Sequence, residues 1–192
     1  MSGGRSWSWN WNDVARRIRV PAGFAFAALY LWLAQPTWEW LGLGAAVAAP
    51  GLLLRALAAG HIRKDAELTT SGPYRYTRNP LYLGSLIIAA GFAAAAGSGW
   101  VAAAAAALFA AVYWPVMMAE ERRLRERFPT YDDYARRVPR LLPGLRPILR
   151  PAAGGGPKFS GALYRQHREY NALLGAAAML AALAAKIHWG AR

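Results

Sequence analysis

Two short polar runs stand out in an otherwise apolar chain. Arg78-Asn79-Pro80 comes directly before an apolar stretch, and Glu120-Glu121 comes directly after another. Carboxylates at the end of an apolar segment are costly unless they are paired or bind a ligand, and Arg78 is the natural partner. An arginine beside two carboxylates either forms a structural ion pair or orients a polar group of a ligand. The spacing alone leaves both interpretations open.

Other kinds of chemistry are excluded or disfavoured by composition. The chain has no cysteine, which excludes a thiol nucleophile, a disulfide and a cysteine-based zinc site. Its three histidines, His61, His167 and His188, are far apart in the sequence, which argues against an all-histidine metal site. We therefore expect no metal.

Charge and hydropathy together indicate a membrane protein. The 192 residues are 56% hydrophobic and carry 23 Lys+Arg against 10 Asp+Glu, a net charge of +13. Such basicity would ordinarily suggest a nucleic-acid partner. Only 17% of residues are charged, however, against about 25% in globular proteins. Low charge density with surplus Lys and Arg is typical of a small membrane protein, so we expect membrane lipids and no nucleic acid as partners.

Apolar segments must position the two polar runs. A spanning helix needs about 20 mainly apolar residues, and five segments approach that length, although Pro50-Gly51 interrupts the second and the last is alanine-rich. The sequence predicts an all-α integral membrane protein with about five transmembrane helices. The predicted spans are 20–38, 41–57, 81–96, 100–118 and 172–187.

The distribution of basic residues predicts the orientation of these spans. Residues 1–19, 55–80 and 119–171 hold 21 of the 23 Lys and Arg residues. Basic loops remain in the cytoplasm, so the N-terminus and both polar runs are expected there, at the inner membrane if the protein is bacterial. Because only residues 97–99 separate the third and fourth spans, these form a hairpin that brings the residues before 81 close to those after 118.

The chain divides into four predicted regions. We expect a cytoplasmic tail over 1–19, a membrane core over 20–150 with its functional motifs in 61–84 and 116–143, a Gly- and Pro-rich linker over 151–157, and an interfacial helix followed by a C-terminal membrane helix over 158–192.

The polar runs belong to a longer ordered pattern. It reads Thr70-Ser71-Gly72-Pro73-Tyr74-x-x-x-Arg78-Asn79-Pro80-x-Tyr82-x-Gly84, then Glu120-Glu121-x-x-Leu124, Phe128-x-x-Tyr131-x-x-Tyr134 and Val138-Pro139. This pattern resembles the signature of the isoprenylcysteine carboxyl methyltransferase family and its phospholipid methyltransferase relatives.

The resemblance implies a membrane-embedded methyltransferase with a cytoplasmic site for S-adenosylmethionine. The methyl acceptor would be a lipid or small amphiphile from the bilayer, with an isoprenylcysteine-like carboxylate as one candidate. By the resemblance, Arg78 and Glu121 would be catalytic. The cofactor would be bound by Glu67, Leu68, Thr69, Tyr74, Asn79, Pro80, Leu81, Tyr82 and Glu120.

The chain departs from the family pattern at two positions. Asn79 stands where the family usually has histidine, so we expect no general base there. Val116 stands where the eukaryotic prenylcysteine enzymes carry an arginine for the substrate carboxylate, which argues against that substrate. Two alternatives stay open at this point. One is a membrane reductase of the sterol-reductase type that uses NADPH, and the other is a non-enzymatic membrane scaffold.

Overall fold

The structure, a computed structural model, describes residues 25, 27–63, 66–144 and 157–190, and the regular elements in these ranges are helices. A π-helical turn, Phe109–Tyr113, joins α4 to α5, so that they run on as one helix. A short 3₁₀ turn covers Gly72–Arg75. The helices are α1 (27–33), α2 (Trp38–Ala59), α3 (Pro80–Ala95), α4 (Gly99–Leu108), α5 (Trp114–Arg127), α6 (Tyr131–Arg137), α7 (Gly161–Gln166) and α8 (Tyr170–Gly190).

Three helices are long and apolar enough to cross a membrane: Trp38–Ala59, Gly99–Arg127 and Tyr170–Gly190. They correspond to three of the five predicted spans. The predicted span 81–96 is a helix of 16 residues, about 24 Å long, which is shorter than the bilayer core of about 30 Å. The predicted span 20–38 lies partly outside the described residues. The total of five spans and their orientation therefore stay predictions.

The predicted interruption of the second span is wrong. Pro50 lies inside α2, and the helix continues through it to Ala59. Proline is tolerated in apolar helices where neighbouring groups satisfy the freed backbone carbonyl.

Helices α2 and α3 pack backbone to backbone in an antiparallel pair. A Cβ added at Gly91 would lie 2.6 Å from the carbonyl oxygen of Gly44, and one added at Gly84 would lie 2.8 Å from that of Gly51. Only glycine permits such an approach, as is common where apolar helices pack in membranes. This glycine seam fixes α3, and the first polar run lies directly at the start of that helix.

The predicted hairpin between the third and fourth spans is present. Gly97 has a φ of +58°, which favours glycine, and it ends α3 just before α4 begins. The turn is stabilised by the amide of Gln35, which donates to the carbonyl of Ala96 at 2.7 Å. Because the chain reverses at this turn, the start of α3 lies at the same level as α5.

The C-terminal helix α8 is attached at both ends. Near its end, Nζ of Lys186 donates to the carbonyl oxygens of Leu31 at 2.6 Å and Ala34 at 2.7 Å, which places a cation at the C-terminal end of α1. Before its start, Arg55 of α2 pairs with Glu169 at 2.5 Å.

The predicted helix within 158–170 is present only as the six residues of α7. Arg168, with a φ of +52°, separates α7 from α8. The predicted tail over 1–19 and linker residues 151–156 lie outside the described residues.

Candidate functional site

The two polar segments are joined along their backbones. The amide of Arg78 donates to the carbonyl of Pro139 at 2.9 Å, and the amide of Gly144 donates to the carbonyl of Tyr76 at 3.0 Å. The hydroxyl of Thr77, which is buried, donates to the carbonyl of Leu141 at 3.0 Å. The predicted convergence of the segments before α3 and after α5 is thus confirmed.

Glu121 is the polar centre of this junction. Its side chain is almost fully buried and accepts hydrogen bonds from Nδ2 of Asn79 at 2.8 Å, from Nη1 of Arg78 at 3.2 Å and from Nε of Arg140 at 3.2 Å. Asn79 gives its second amide hydrogen to the carbonyl of Arg140 at 3.0 Å. Two cations and an amide therefore compensate one buried carboxylate. The predicted partnership of Arg78 with the glutamate pair is confirmed for Glu121.

A cavity of about 270 Å³, here called the polar cavity, lies beside this junction. Seven of the residues predicted to form the site line it: Glu67, Leu68, Thr69, Tyr74, Arg78, Asn79 and Glu120. The other residues of its wall are Ile62, Arg63, Arg123, Leu124, Arg127, Phe128, Tyr131 and Tyr134.

Four predicted site residues lie outside the lining of the polar cavity. Glu121 is turned into the junction, and Pro80 is buried in the first turn of α3. The ring of Tyr82 meets that of Tyr113 edge-on, with centroids 6.4 Å apart. The carbonyl of Leu81 accepts a hydrogen bond from an arginine of α2. Their proposed roles stay predictions.

Two buried donors at the polar cavity have no hydrogen-bond partner among the described residues: the hydroxyl of Tyr74 and Nε of Arg78. Burial raises the pKa of Tyr74, with a further rise from the nearby Tyr134 and Glu120, so its hydroxyl keeps its proton. Glu120 is exposed at the rim, and its carboxylate has no ion pair with any residue described. Unpaired buried donors cost free energy, and a ligand or a water that accepted from them would lower that cost.

The residues of the polar cavity have the chemistry to hold S-adenosylmethionine, the cofactor that the resemblance implies. Glu120 would accept from the ammonium group or from ribose hydroxyls, and the orphaned hydroxyl of Tyr74 would donate. Arg123 and Arg127 offer positive charge to the carboxylate end, while Leu68 and Phe128 supply apolar surface. The volume of about 270 Å³ lies just below the range for small-molecule pockets, about 300–1,000 Å³, so a nucleoside would extend past the exposed rim.

Sequence reasoning missed part of the wall of the polar cavity. Tyr131 and Tyr134 belong to the sequence pattern, but the pattern predicts no role for them. Both are buried, and the hydroxyl of Tyr134 donates to the carbonyl of Tyr74 at 2.8 Å. Arg123 and Arg127 lie four residues apart on α5, a spacing that puts them on the same helix face as Glu120. This spacing could have predicted that Arg123 and Arg127 line the same cavity as Glu120.

Fold and site together define a helical protein with membrane-length helices and a polar cavity at one end of a helix hairpin. Residues 54–130, which supply most of that cavity, match the model of the phospholipid methyltransferase family. The family resemblance predicted from the motifs is thereby confirmed over this segment. No solved structure gives a significant match to the chain.

Two curated bacterial proteins are similar to part of the chain. The nickel-cobalt-cadmium resistance protein NccN of Alcaligenes xylosoxydans xylosoxydans is 41% identical over 103 residues, which cover 54% of this chain and 48% of that protein. The cobalt-zinc-cadmium resistance protein CzcN of Cupriavidus metallidurans is 36% identical over 103 residues, which cover 54% and 47%. The matched region thus spans about half the length of either relative.

Proposed function

We propose that this chain is a membrane-embedded methyltransferase that moves a methyl group from S-adenosylmethionine to a lipid or small amphiphilic acceptor. The observation that carries the proposal is the polar cavity. Three unpaired polar groups, on Tyr74, Arg78 and Glu120, meet there. All three belong to the segment that matches a methyltransferase family.

The residues around the polar cavity divide the work between binding and positioning. Glu120 and Tyr74 would hold the cofactor, as described above. Arg78 lines the polar cavity and holds Glu121 through Nη1, while its buried Nε has no partner among the described residues. Its guanidinium would orient a polar group of the acceptor. Glu121 would keep that guanidinium in place.

The reaction needs little covalent help from the protein. Transfer breaks the methyl–sulfur bond and forms a bond to the acceptor atom; the electron pair stays on sulfur, and the acceptor's proton leaves to solvent. Asn79 has both amide hydrogens committed and cannot act as a base near neutral pH. Positioning and exclusion of water would therefore supply most of the rate enhancement.

The reductase alternative has one feature in its favour. Four arginines and two glutamates line the polar cavity, namely Arg63, Arg78, Arg123, Arg127, Glu67 and Glu120. This excess of positive charge would also attract an anionic dinucleotide such as NADPH. The scaffold alternative requires no ligand at all.

Thermal unfolding of the purified protein in lipid nanodiscs separates these functions, because a ligand of the folded state raises the midpoint. We expect S-adenosylhomocysteine to raise the midpoint and NADPH to leave it unchanged. Stabilisation by NADPH alone would favour the reductase, and stabilisation by neither would favour the scaffold. Incubation with labelled methyl donor and a membrane lipid extract should then yield a labelled lipid-soluble product.

The relatives' names suggest where such a methylation would matter. Both are named as proteins of resistance to divalent metals, so we infer that methylation of a membrane component by this chain contributes to metal tolerance. Expression in a metal-sensitive bacterium should improve growth on cobalt or cadmium. Glu120→Gln should abolish that improvement. Equal growth with this variant would show that metal tolerance does not depend on methyl transfer.

A further inference from the structure

A second, larger cavity of about 500 Å³ lies among α1, α3, α4 and α8, with Arg55 of α2 at its edge. We call it the apolar cavity, because alanines and large apolar side chains form most of its wall. Its volume is typical of pockets that hold a small organic molecule. Gly175 of α8 borders it, and a Cβ added there would meet no atom within 4 Å. Helices α1 and α8 lie outside the segment that matches the methyltransferase family.

The apolar cavity has one polar end. Ser85, Tyr113 and Asn171 lie there with Arg55, at the level of the first turns of α3 and α8. Phe92 and Met179 line its other end. Phe92 lies seven positions after Ser85 on α3, so the cavity runs about 10 Å along the helix axis. This shape suits one hydrocarbon chain with a small headgroup.

The polar end is electrically balanced. Nε of Arg55 donates to Glu169 at 2.5 Å, and its Nη1 donates to the hydroxyl of Ser85 at 2.5 Å and the carbonyl of Leu81 at 3.3 Å. The Glu169 side chain is 10% exposed and that of Arg55 is 23% exposed. Because the two charges compensate each other, a charged headgroup would enter without a free counter-ion, which is costly in a buried site.

We propose that the apolar cavity binds a single-chain amphiphile with an uncharged hydroxyl headgroup, and that the Arg55–Glu169 pair selects against a carboxylate. As a statement about the methyl acceptor, this rests on the proposed function. Methylation of the hydroxyl would form an oxygen–carbon bond as the methyl–sulfur bond breaks, with the electron pair on sulfur and the hydroxyl proton released to water. As a binding site, the proposal stands independently of that reaction.

Photo-crosslinking in nanodiscs tests the site directly. The probes are a fatty alcohol that carries a diazirine on its chain and the fatty acid of the same chain length. We expect the alcohol to label α3 and α8 at residues of the apolar cavity, and the acid to label them about tenfold less, as leaving a buried charge unpaired implies. Equal labelling by both probes, or labelling only at lipid-exposed residues, would overturn the proposal.

Three variants sharpen this test. Gly175→Phe fills the cavity and should abolish specific labelling, whereas Ala177→Phe, on the opposite and exposed face of α8, should leave it unchanged. Glu169→Gln keeps an acceptor for Arg55 but frees its positive charge, so acid labelling should rise toward or above that of the alcohol. Unchanged selectivity in Glu169→Gln would contradict the role of the ion pair.

Binding of S-adenosylhomocysteine to the same preparations separates the two proposals. Native binding in Gly175→Phe shows that loss of labelling comes from the filled cavity and not from misfolding. The expected labelling pattern without any S-adenosylhomocysteine binding would remove the proposed function and leave the amphiphile site standing. Normal S-adenosylhomocysteine binding without the labelling pattern would overturn the amphiphile site and leave the proposed function standing.

Discussion

The polar and apolar cavities are built in different ways although both lie against α3. The polar cavity is supported by a dense network of hydrogen bonds between two segments that meet at Glu121. The apolar cavity is closed by α8, which the Arg55–Glu169 pair and Lys186 attach at its two ends. On the proposed function, the polar cavity would hold the cofactor, and the apolar cavity, closed by α8, would select the acceptor.

Position along α3 separates the two cavities. Asn79 at its start belongs to the polar cavity and Ser85 to the apolar cavity. Ser85 lies six positions after Asn79, or about 9 Å along the axis. Tyr82 and Tyr113 meet within this interval. An acceptor held beside Ser85 would therefore approach the cofactor past these two rings.

Removing the carboxylate of Glu121 should produce the largest effect of any change at the polar cavity. Glu121→Leu leaves Arg78, Asn79 and Arg140 without their shared acceptor, and breaking such a buried pair costs about 3–5 kcal/mol. We expect a large drop in the thermal unfolding midpoint, whereas Glu126→Leu on the exposed face of α5 should change it little. Adding Arg78→Met to Glu121→Leu should recover part of the lost midpoint, because Asn79 and Arg140 still lack their acceptor, and should not restore methyl transfer. Near-normal transfer by that double variant would remove both residues from the catalytic set.

The glycine seam should support both cavities at once. Gly91→Leu forces a side chain against the backbone of α2, and overpacking of this kind costs about 1–3 kcal/mol. S-adenosylhomocysteine affinity and fatty-alcohol labelling should fall together, because α3 forms part of both walls. Gly42→Leu is the control, since a Cβ there meets nothing within 4 Å. A variant at Gly91 that lost only one activity would show that the cavities are positioned independently.

Tyr74→Phe should separate binding from stability. The buried hydroxyl has no partner among the described residues, so its removal should leave the unfolding midpoint unchanged or slightly raised. The lost hydrogen bond to the cofactor should weaken S-adenosylhomocysteine binding by about 0.5–1.5 kcal/mol, roughly two- to tenfold. A clear loss of stability would mean that the hydroxyl serves the fold instead.

Alkaline pH should lower the free energy of unfolding by a smaller amount, through the tyrosines at the polar cavity. Burial raises the pKa of Tyr74, Tyr131 and Tyr134 in the folded state, whereas the unfolded chain releases these protons near pH 10. Stability is therefore fully present below about pH 10 and falls as the pH rises above it. Unfolding midpoints measured from pH 8 to 11 should show this decline, and Tyr74→Phe should reduce its slope. An unchanged slope would exclude Tyr74 as a contributor.

The sequence predicts the parts of this architecture that depend on local signals. Long apolar runs predict α2, the α4–α5 helix and α8, and Asn79-Pro80 predicts the start of α3. The short turn around Gly97 predicts that Arg78 and the glutamate pair meet.

Residue spacing alone could not assign Glu120 and Glu121 to different environments; only the family resemblance gave them separate roles. Neighbouring residues on a helix point about 100° apart, and the π turn over Phe109–Tyr113 shifts the register of everything after it. The structure shows that Glu121 faces the junction and Glu120 the polar cavity. The Arg55–Glu169 pair could not be predicted from the sequence, because its members are 114 residues apart.

Calorimetric titration with S-adenosylhomocysteine tests the central claim, that the polar cavity binds the methyl donor through Glu120. Glu120→Gln keeps the size of the side chain and removes its charge, while Glu126→Gln makes the same change away from the cavity. We predict that the first variant weakens binding by about 1.5–3 kcal/mol, roughly ten- to hundredfold, and that the second leaves it unchanged. Equal affinity of the Glu120→Gln and native proteins would contradict the account.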